Sequence, residues 1–314
     1  MRIFIAGATG VVGSSLVPML VAGGHHVTGS TRSAAKAKRL QGAGAEPVVL
    51  DALDRDAVMA AVTAAKPDVV VHQLTSLSGP PNLRRFDSYF AATNRLRTEA
   101  TDHLLTAARA AGAHRYVVQS YTGWVNERTG GPIKTEEDPL DPHPTAVSRE
   151  VVAALRRLER TVTVPDDVEG VVLRYGNFYG AGTSVGEGGE VLEMIHKRQL
   201  PVVGSGAGVW SYVHIDDVAR ATVAAIEHGA PGVYNIVDDE PAPVREWLPY
   251  LARVIGAKPP LRLPAWLVRP FLGEQGVSLM TAVRGSSNAK AKRILGWEPR
   301  YASWRQGFRD GLGR

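Results

Sequence analysis

The sequence contains no cysteine. That removes thiolate nucleophiles, iron–sulfur ligation, Cys-ligated zinc and dithiol redox chemistry, and it fits a reducing compartment. Long apolar runs are missing too: nothing approaches the ~20 residues a membrane helix needs, so no membrane association is expected. A strand-like Arg2-Ile3-Phe4-Ile5-Ala6 begins at once and leaves no room for a basic-then-apolar leader, so a cytoplasmic location is expected. Charge of one sign is scarce as well. The 36 Lys and Arg against 31 Asp and Glu leave a net +5 over 314 residues, too diffuse to predict a nucleic-acid partner. Histidines and acids form no spaced cluster of the H-x-x-x-H kind, so no metal is expected.

What is present is alternation. Short apolar runs at 2–6, 26–30, 46–50, 68–73, 115–120 and 168–175 read as strands, and longer amphipathic stretches near 11–22, 34–41, 55–65, 83–111 and 147–162 read as helices. That order predicts crossover units and a parallel sheet. After Tyr175 the texture changes to glycine-rich loops (176–189, 204–208), proline clusters and shorter helices. The expected division is a nucleotide-binding part at 1–175 and a smaller substrate-binding region at 176–314, with about 209–240 returning to the first sheet through a strand at 232–237.

Between the first strand and first helix lies Gly7-Ala8-Thr9-Gly10-Val11-Val12-Gly13. Glycines there permit a tight turn, let backbone N–H groups approach a pyrophosphate, and let the helix pack closely with its positive end toward the anion. Gly7, Thr9, Gly10, Val11, Val12 and Gly13 are therefore expected to hold a dinucleotide in an α/β, doubly wound Rossmann fold. A free ribose 2′-hydroxyl calls for a carboxylate about 20 residues past such a loop. No Asp or Glu occurs between Gly13 and Glu46, and the segment carries Thr31-Arg32-Ser33 just past the second strand. Arg32 at that place predicts a 2′-phosphate, hence NADP rather than NAD.

Further motifs follow in order: Asp51-Ala52 after the third strand; Val71-His72-Gln73-Leu74; Asn94 in the long helix; Leu173-Arg174-Tyr175-Gly176-Asn177-Phe178-Tyr179-Gly180; Tyr212-Val213-His214-Ile215-Asp216-Asp217-Val218-Ala219; Tyr234-Asn235-Ile236; and Leu295-Gly296-Trp297. Together with the spacing G-x-x-G-x-x-G, this series resembles the extended branch of the short-chain dehydrogenase/reductase superfamily, the NAD-dependent epimerase/dehydratase type. The resemblance implies adenine contacts from Asp51 and Ala52. On the nicotinamide side it implies Gln73, Leu74, Arg149, Tyr175 and Asn177. It also implies a homodimer through the two long helices.

In that family a Tyr-x-x-x-Lys performs proton transfer, and a Ser or Thr polarises the carbonyl. None of the nine tyrosines here has Lys four residues on. Aligning Ser148-Arg149 with the family's Ser-Lys places Thr145 and Arg149 at the pair. An aliphatic hydroxyl is too weak an acid to replace a phenol, and a guanidinium holds a ribose or phosphate without shuttling protons. The polarising position falls on Ser120 or Tyr121. Tyr121, Tyr175, Tyr179, His72 and His143 are the substitute acids. Trp124, Asn177, Tyr179 and Trp210 are expected to line the substrate pocket. Where nucleotide-sugar members carry Arg, this chain has Trp210, which favours a small, largely uncharged substrate. His214 with Asp216 and Asp217 reads as a structural helix start, and Lys134 as a solvated loop residue. The expected activity is NADP-dependent oxidation or reduction of a carbonyl, hydroxyl or alkene compound. Non-redox epimerisation or dehydration with bound NADP, and a catalytically silent NADP-binding regulator, are the alternatives.

Overall fold

The computed structural model describes residues 1–77, 79, 82–164 and 167–313. At its centre is a parallel seven-stranded sheet: β1 (Arg2–Ala6), β2 (His26–Thr31), β3 (Glu46–Val49), β4 (Val69–His72), β5 (Arg115–Tyr121), β6 (Glu169–Tyr175) and β7 (Gly232–Ile236). The strands stand in the order β7-β6-β5-β4-β1-β2-β3. The direction of winding reverses between β1 and β4, and the connections leaving these neighbours open a crevice at the carboxyl ends. The returning strand is present as expected, with Gly232 opposite Val171 and Ile236 opposite Tyr175.

Both faces of the sheet are covered, which explains why the strands read as nearly continuous apolar runs. Ile3 and Ile5 pack with Leu16 and Val17 of the first helix, Val11–Ala22, and with Val218 and Ala225 of the helix Ile215–Glu227. Phe4, Val70 and Val118 face the other way, onto Val58, Leu104 and Leu158 from the helices Arg55–Ala65, Thr101–Ala110 and Arg149–Thr163. Each such side chain contributes roughly 1.5–3 kcal/mol by leaving water.

Two helices differ from the sequence reading. The long one expected at 83–111 starts at Phe86 and is interrupted: α-helix Phe86–Arg95, a π-turn at Leu96–Ala100, then α-helix Thr101–Ala110. The helix expected at 147–162 is preceded by a 3-10 turn, Ala146–Ser148, and becomes α-helical at Arg149. Beyond β6, short ladders, the helices Glu190–His196, Val244–Val254 and Trp304–Asp310, and the helical stretch Ala265–Thr281, broken at Gly273, enclose a second core around Tyr179, Tyr212, Trp247, Trp304 and Phe308. Among the described residues no helix is long and apolar enough to cross a membrane.

Candidate active site

The glycine loop joins β1 to the first helix. Gly7 has φ +88°, and a Cβ there would stand 2.8 Å from the Gln73 carbonyl, so only glycine lets the loop lie against the end of β4. At Gly13 a Cβ would fall 2.4 Å from the Ala8 carbonyl, which is why the helix can start so close beneath the loop. Gly10 caps that helix without a side-chain hydrogen bond, and no acid lies in its first turn. The N-terminal N–H groups and the positive end of the helix are therefore open to an anion. The loop is tied to β2 by Thr9 Oγ1 donating to Thr31 Oγ1 at 3.1 Å, while the Ser33 N–H donates to the same Thr31 oxygen at 3.2 Å. Arg32, between those two anchored residues, is exposed. Past β3, Asp51 Oδ1 accepts from the Leu53 N–H at 3.0 Å, with Ala52 buried beside it.

At the end of β4, Gln73 Nε2 donates to the Tyr175 hydroxyl at 2.9 Å, and that hydroxyl meets Thr222 Oγ1 at 2.8 Å. Gln73 Oε1 is buried with no partner inside the protein, an acceptor left for a ligand. The uncapped helix, the close-packed glycines, this orphaned oxygen and the exposed Arg32 fit a dinucleotide stretched across the carboxyl ends of β1, β2 and β4.

The carboxyl end of β5 supplies the next group. Tyr121 donates its hydroxyl proton to Asn177 Oδ1 at 3.0 Å, and Asn177 Nδ2 donates to the Ser211 carbonyl at 3.0 Å. Burial pushes the Tyr121 phenol well above its usual range, against the opposing influence of Asn177 and of the Arg97 guanidinium, so the phenol is protonated at neutral pH. Trp124 lies 5.6 Å from the Tyr121 ring and meets Phe86 edge-on at 5.0 Å. Trp210 is fixed by its indole N–H donating to the Leu279 carbonyl at 2.8 Å and by stacking on Tyr212. Tyr121, Trp124, Asn177 and Trp210 line one narrow cleft, closed by Leu279 and Val283. Four of the residues singled out from sequence are thus brought together.

Other expected residues are placed elsewhere. Ser120 points to the opposite face of the sheet, where its hydroxyl donates to Glu159 Oε1 at 2.7 Å; the same carboxylate receives Arg174 through two bonds, at 2.8 and 2.7 Å. Strand alternation is the reason, since neighbours 120 and 121 must face opposite ways. Thr145 is buried, its hydroxyl donating to Gln275 Oε1 at 2.6 Å and contacting Ser148 Oγ at 2.8 Å. Arg149 is exposed in the first turn of its helix. Tyr179 is buried in the C-terminal core against Tyr212, His214 and Phe308, away from the cleft, with its phenol pushed far up by burial. Burial takes the Tyr175 phenol up to about 12. His72 is neutral, its imidazole held down to about 4 by burial; Nε2 donates to the Leu96 carbonyl at 3.1 Å while Nδ1 accepts from the Leu74 N–H at 3.2 Å. His214 caps the helix Ile215–Glu227, and Asp217 accepts the N–H groups of Arg300 and Tyr301, as a structural reading requires. Lys134 departs from expectation: it is buried between Asp138, at 3.1 Å, and Glu127, at 3.7 Å.

Sequence reasoning passed over Arg97, Glu159 and Gln275. Glu159 had a signal, a carboxylate inside the apolar stripe Leu155, Leu158, Val162. Gln275 had none, because its partner is 130 residues away.

A seven-stranded doubly wound sheet with a glycine loop, an uncapped helix and a cleft at the strand ends is the frame of a dinucleotide-binding protein. The model of the NAD dependent epimerase/dehydratase family matches residues 3–237, and the chain belongs to that family. It is 45% identical, over 100% of both chains, to the 3-diazoavenalumate denitrifying reductase of a Streptomyces species. With the 2-alkyl-3-oxoalkanoate reductase of Stenotrophomonas maltophilia it shares 28% identity over 82% of this chain and 76% of the relative. Among solved structures it is similar to the UDP-glucose 4-epimerase of Thermus thermophilus in complex with NAD, with a TM-score of 0.75, 25% identity, and coverage of 99% and 98% of the two chains.

Proposed function

We propose that this protein is an NADP-preferring reductase whose substrate is a planar aromatic compound carrying a diazo group, reduced with loss of dinitrogen. The observation that carries the reading is the occupied hydroxyl of Thr145. At the position where the resembled family places its phenolic acid, this chain has an aliphatic hydroxyl already committed to Gln275, and no tyrosine in the sequence is followed by Lys four residues on. Ketone reduction leaves an alkoxide that needs a proton, and such a site is poorly furnished to give one. When bound, reduced NADP would supply a hydride; with the aromatic diazo group in its diazonium form, Ar–N2⁺, the hydride would take the place of dinitrogen, which leaves with the C–N bonding pair, giving the arene, N2 and NADP⁺ with no proton consumed at that carbon. The Streptomyces relative, similar along the whole chain, carries a name of this reaction type.

The protein's own residues then have binding roles. The loop 7–13 and its helix hold the pyrophosphate, Arg32 holds the 2′-phosphate, Asp51 and Ala52 border the adenine, and Gln73 offers its free oxygen on the nicotinamide side. Arg149, exposed in the first turn of its helix, would hold a ribose or phosphate oxygen. Trp124, Tyr121 and Trp210 give flat apolar walls suited to an aromatic ring, and Asn177 sets the Tyr121 phenol. In this reading 1–175 forms the cofactor half and 176–314 completes the substrate pocket. Oxidation of NADPH in the presence of 3-diazoavenalumate, beside a panel of ketones, tests the proposal. Turnover of the diazo compound supports it, and turnover confined to ketones contradicts it.

A further inference from the structure

Arg97 is a buried cation with no anionic partner among the described residues. It lies in the π-turn Leu96–Ala100, only 9% exposed. Its guanidinium sits over the Phe90 ring at 5.5 Å and donates to a neutral acceptor, Asn94 Oδ1, at 3.3 Å. No carboxylate among the described residues pairs with it. The acids of the adjoining turns are already taken, Glu99 by Arg95 at 2.8 Å and Asp102 by Arg157 at 2.6 Å. Asn94 Nδ2, on the same amide that accepts from Arg97, is also buried without a partner.

Such an arrangement is costly on its own, because a buried charge is stable only when paired. The π-turn adds to the cost, and turns of this kind are kept mostly at functional sites. The Phe90 ring under the guanidinium is 6.2 Å from Trp124 of the cleft wall. The phosphates of a dinucleotide belong elsewhere, at the Gly7–Gly13 loop. We infer that Arg97, helped by Asn94, recognises an anionic oxygen, carboxylate or phenolate, on the aromatic substrate held against Trp124. The assignment rests on the proposed aromatic substrate class and not on the fate of a diazo group.

The test is equilibrium binding to the protein loaded with NADP⁺, which permits no reduction, so its outcome is separate from that of any turnover assay. Two pairs of probes distinguish the sources of the charge: cinnamate against cinnamamide, and 4-nitrophenolate against 4-nitroanisole. In the wild type at least one anion is expected to bind about tenfold or more tightly than its neutral partner, the scale of a charge-assisted hydrogen bond. In Arg97→Gln that preference should vanish while the NADP⁺ dissociation constant stays unchanged. No preference in the wild type, or a preference that survives in Arg97→Gln, overturns the assignment. Should Arg97→Gln fail to fold, Arg97→Lys serves instead. Loss of the planar fork should lower the preference by about threefold or more, and an unchanged preference overturns the assignment.

Discussion

The Tyr121 hydroxyl donates to Asn177 Oδ1 at 3.0 Å, and Asn177 is itself held by the Ser211 carbonyl, so the phenol's one proton is committed inside the protein. With its pKa raised by burial, Tyr121 is a wall of the cleft and a fixed dipole rather than a ready acid. Reduction of a diazo compound should therefore survive Tyr121→Phe with kcat within about tenfold of wild type, the loss of a positioning hydrogen bond. Any ketone turned over should likewise lose no more than about tenfold, since the phenol is not the proton source. Steady-state kinetics on both substrate types check this.

The proposed preference for NADP rests on Arg32. It is exposed, carries no acidic neighbour in the segment between Gly13 and Glu46, and is flanked by Thr31 and Ser33, which share a hydrogen bond. Arg32→Ala should raise the NADPH dissociation constant by about 10- to 100-fold, the range of a charge-assisted hydrogen bond. NADH binding should be unaffected. Fluorescence titration with both cofactors measures the two constants.

Ser120 separates a structural role from a catalytic one. Its hydroxyl belongs to the buried Glu159–Arg174 pair on the helix side of the sheet. Ser120→Ala should cost about 1–3 kcal/mol of stability by removing one bond to a charged group. The kcat/KM should stay within about twofold of wild type, since no reacting atom is touched. Glu159→Ala leaves Arg174 buried and unpaired and should cost about 3–5 kcal/mol. Urea denaturation of both variants gives the values.

Acid sensitivity follows from His72. The folded imidazole is held down to about 4 from an ordinary 6.5, so the folded state refuses a proton that the unfolded chain accepts. Stability linked to this residue is full above about 6.5 and falls as the pH drops toward about 4, by about 3 kcal/mol in all. His72→Gln keeps a donor for Leu96 and an acceptor for Leu74 but does not titrate. Its stability should change less between these limits than that of the wild type, in urea melts across the same pH series.

Much of this was legible from residues alone, for physical reasons. Glycines at 7 and 13 are demanded by backbone clashes within or next to their own loop, and Arg32 by what its neighbouring segment lacks. Strand identity followed from apolar runs buried on both faces. The cleft pairing of Tyr121, Trp124, Asn177 and Trp210 was half legible: each residue stood out, while the Tyr121–Asn177 bond depends on β5 and β6 being neighbours. Ser120 was misdirected because strand alternation at β5 was not applied to it. The charge state of Lys134's surroundings, the Thr145–Gln275 bond and the isolation of Arg97 arise from contacts between distant segments or from a π-turn, and neither periodicity nor a local motif reports them.

The proposed hydride transfer needs no protein proton. The direct measurement is the reduction of 3-diazoavenalumate by NADPH deuterated at C4 in ordinary water, with the complementary reaction of unlabelled NADPH in deuterium oxide, each product read by mass spectrometry and NMR. One deuterium is expected on the carbon that carried nitrogen in the first reaction and none there in the second, with one dinitrogen released per NADPH consumed. Deuterium entering that carbon from solvent, or a product that retains its nitrogen, would contradict the claim.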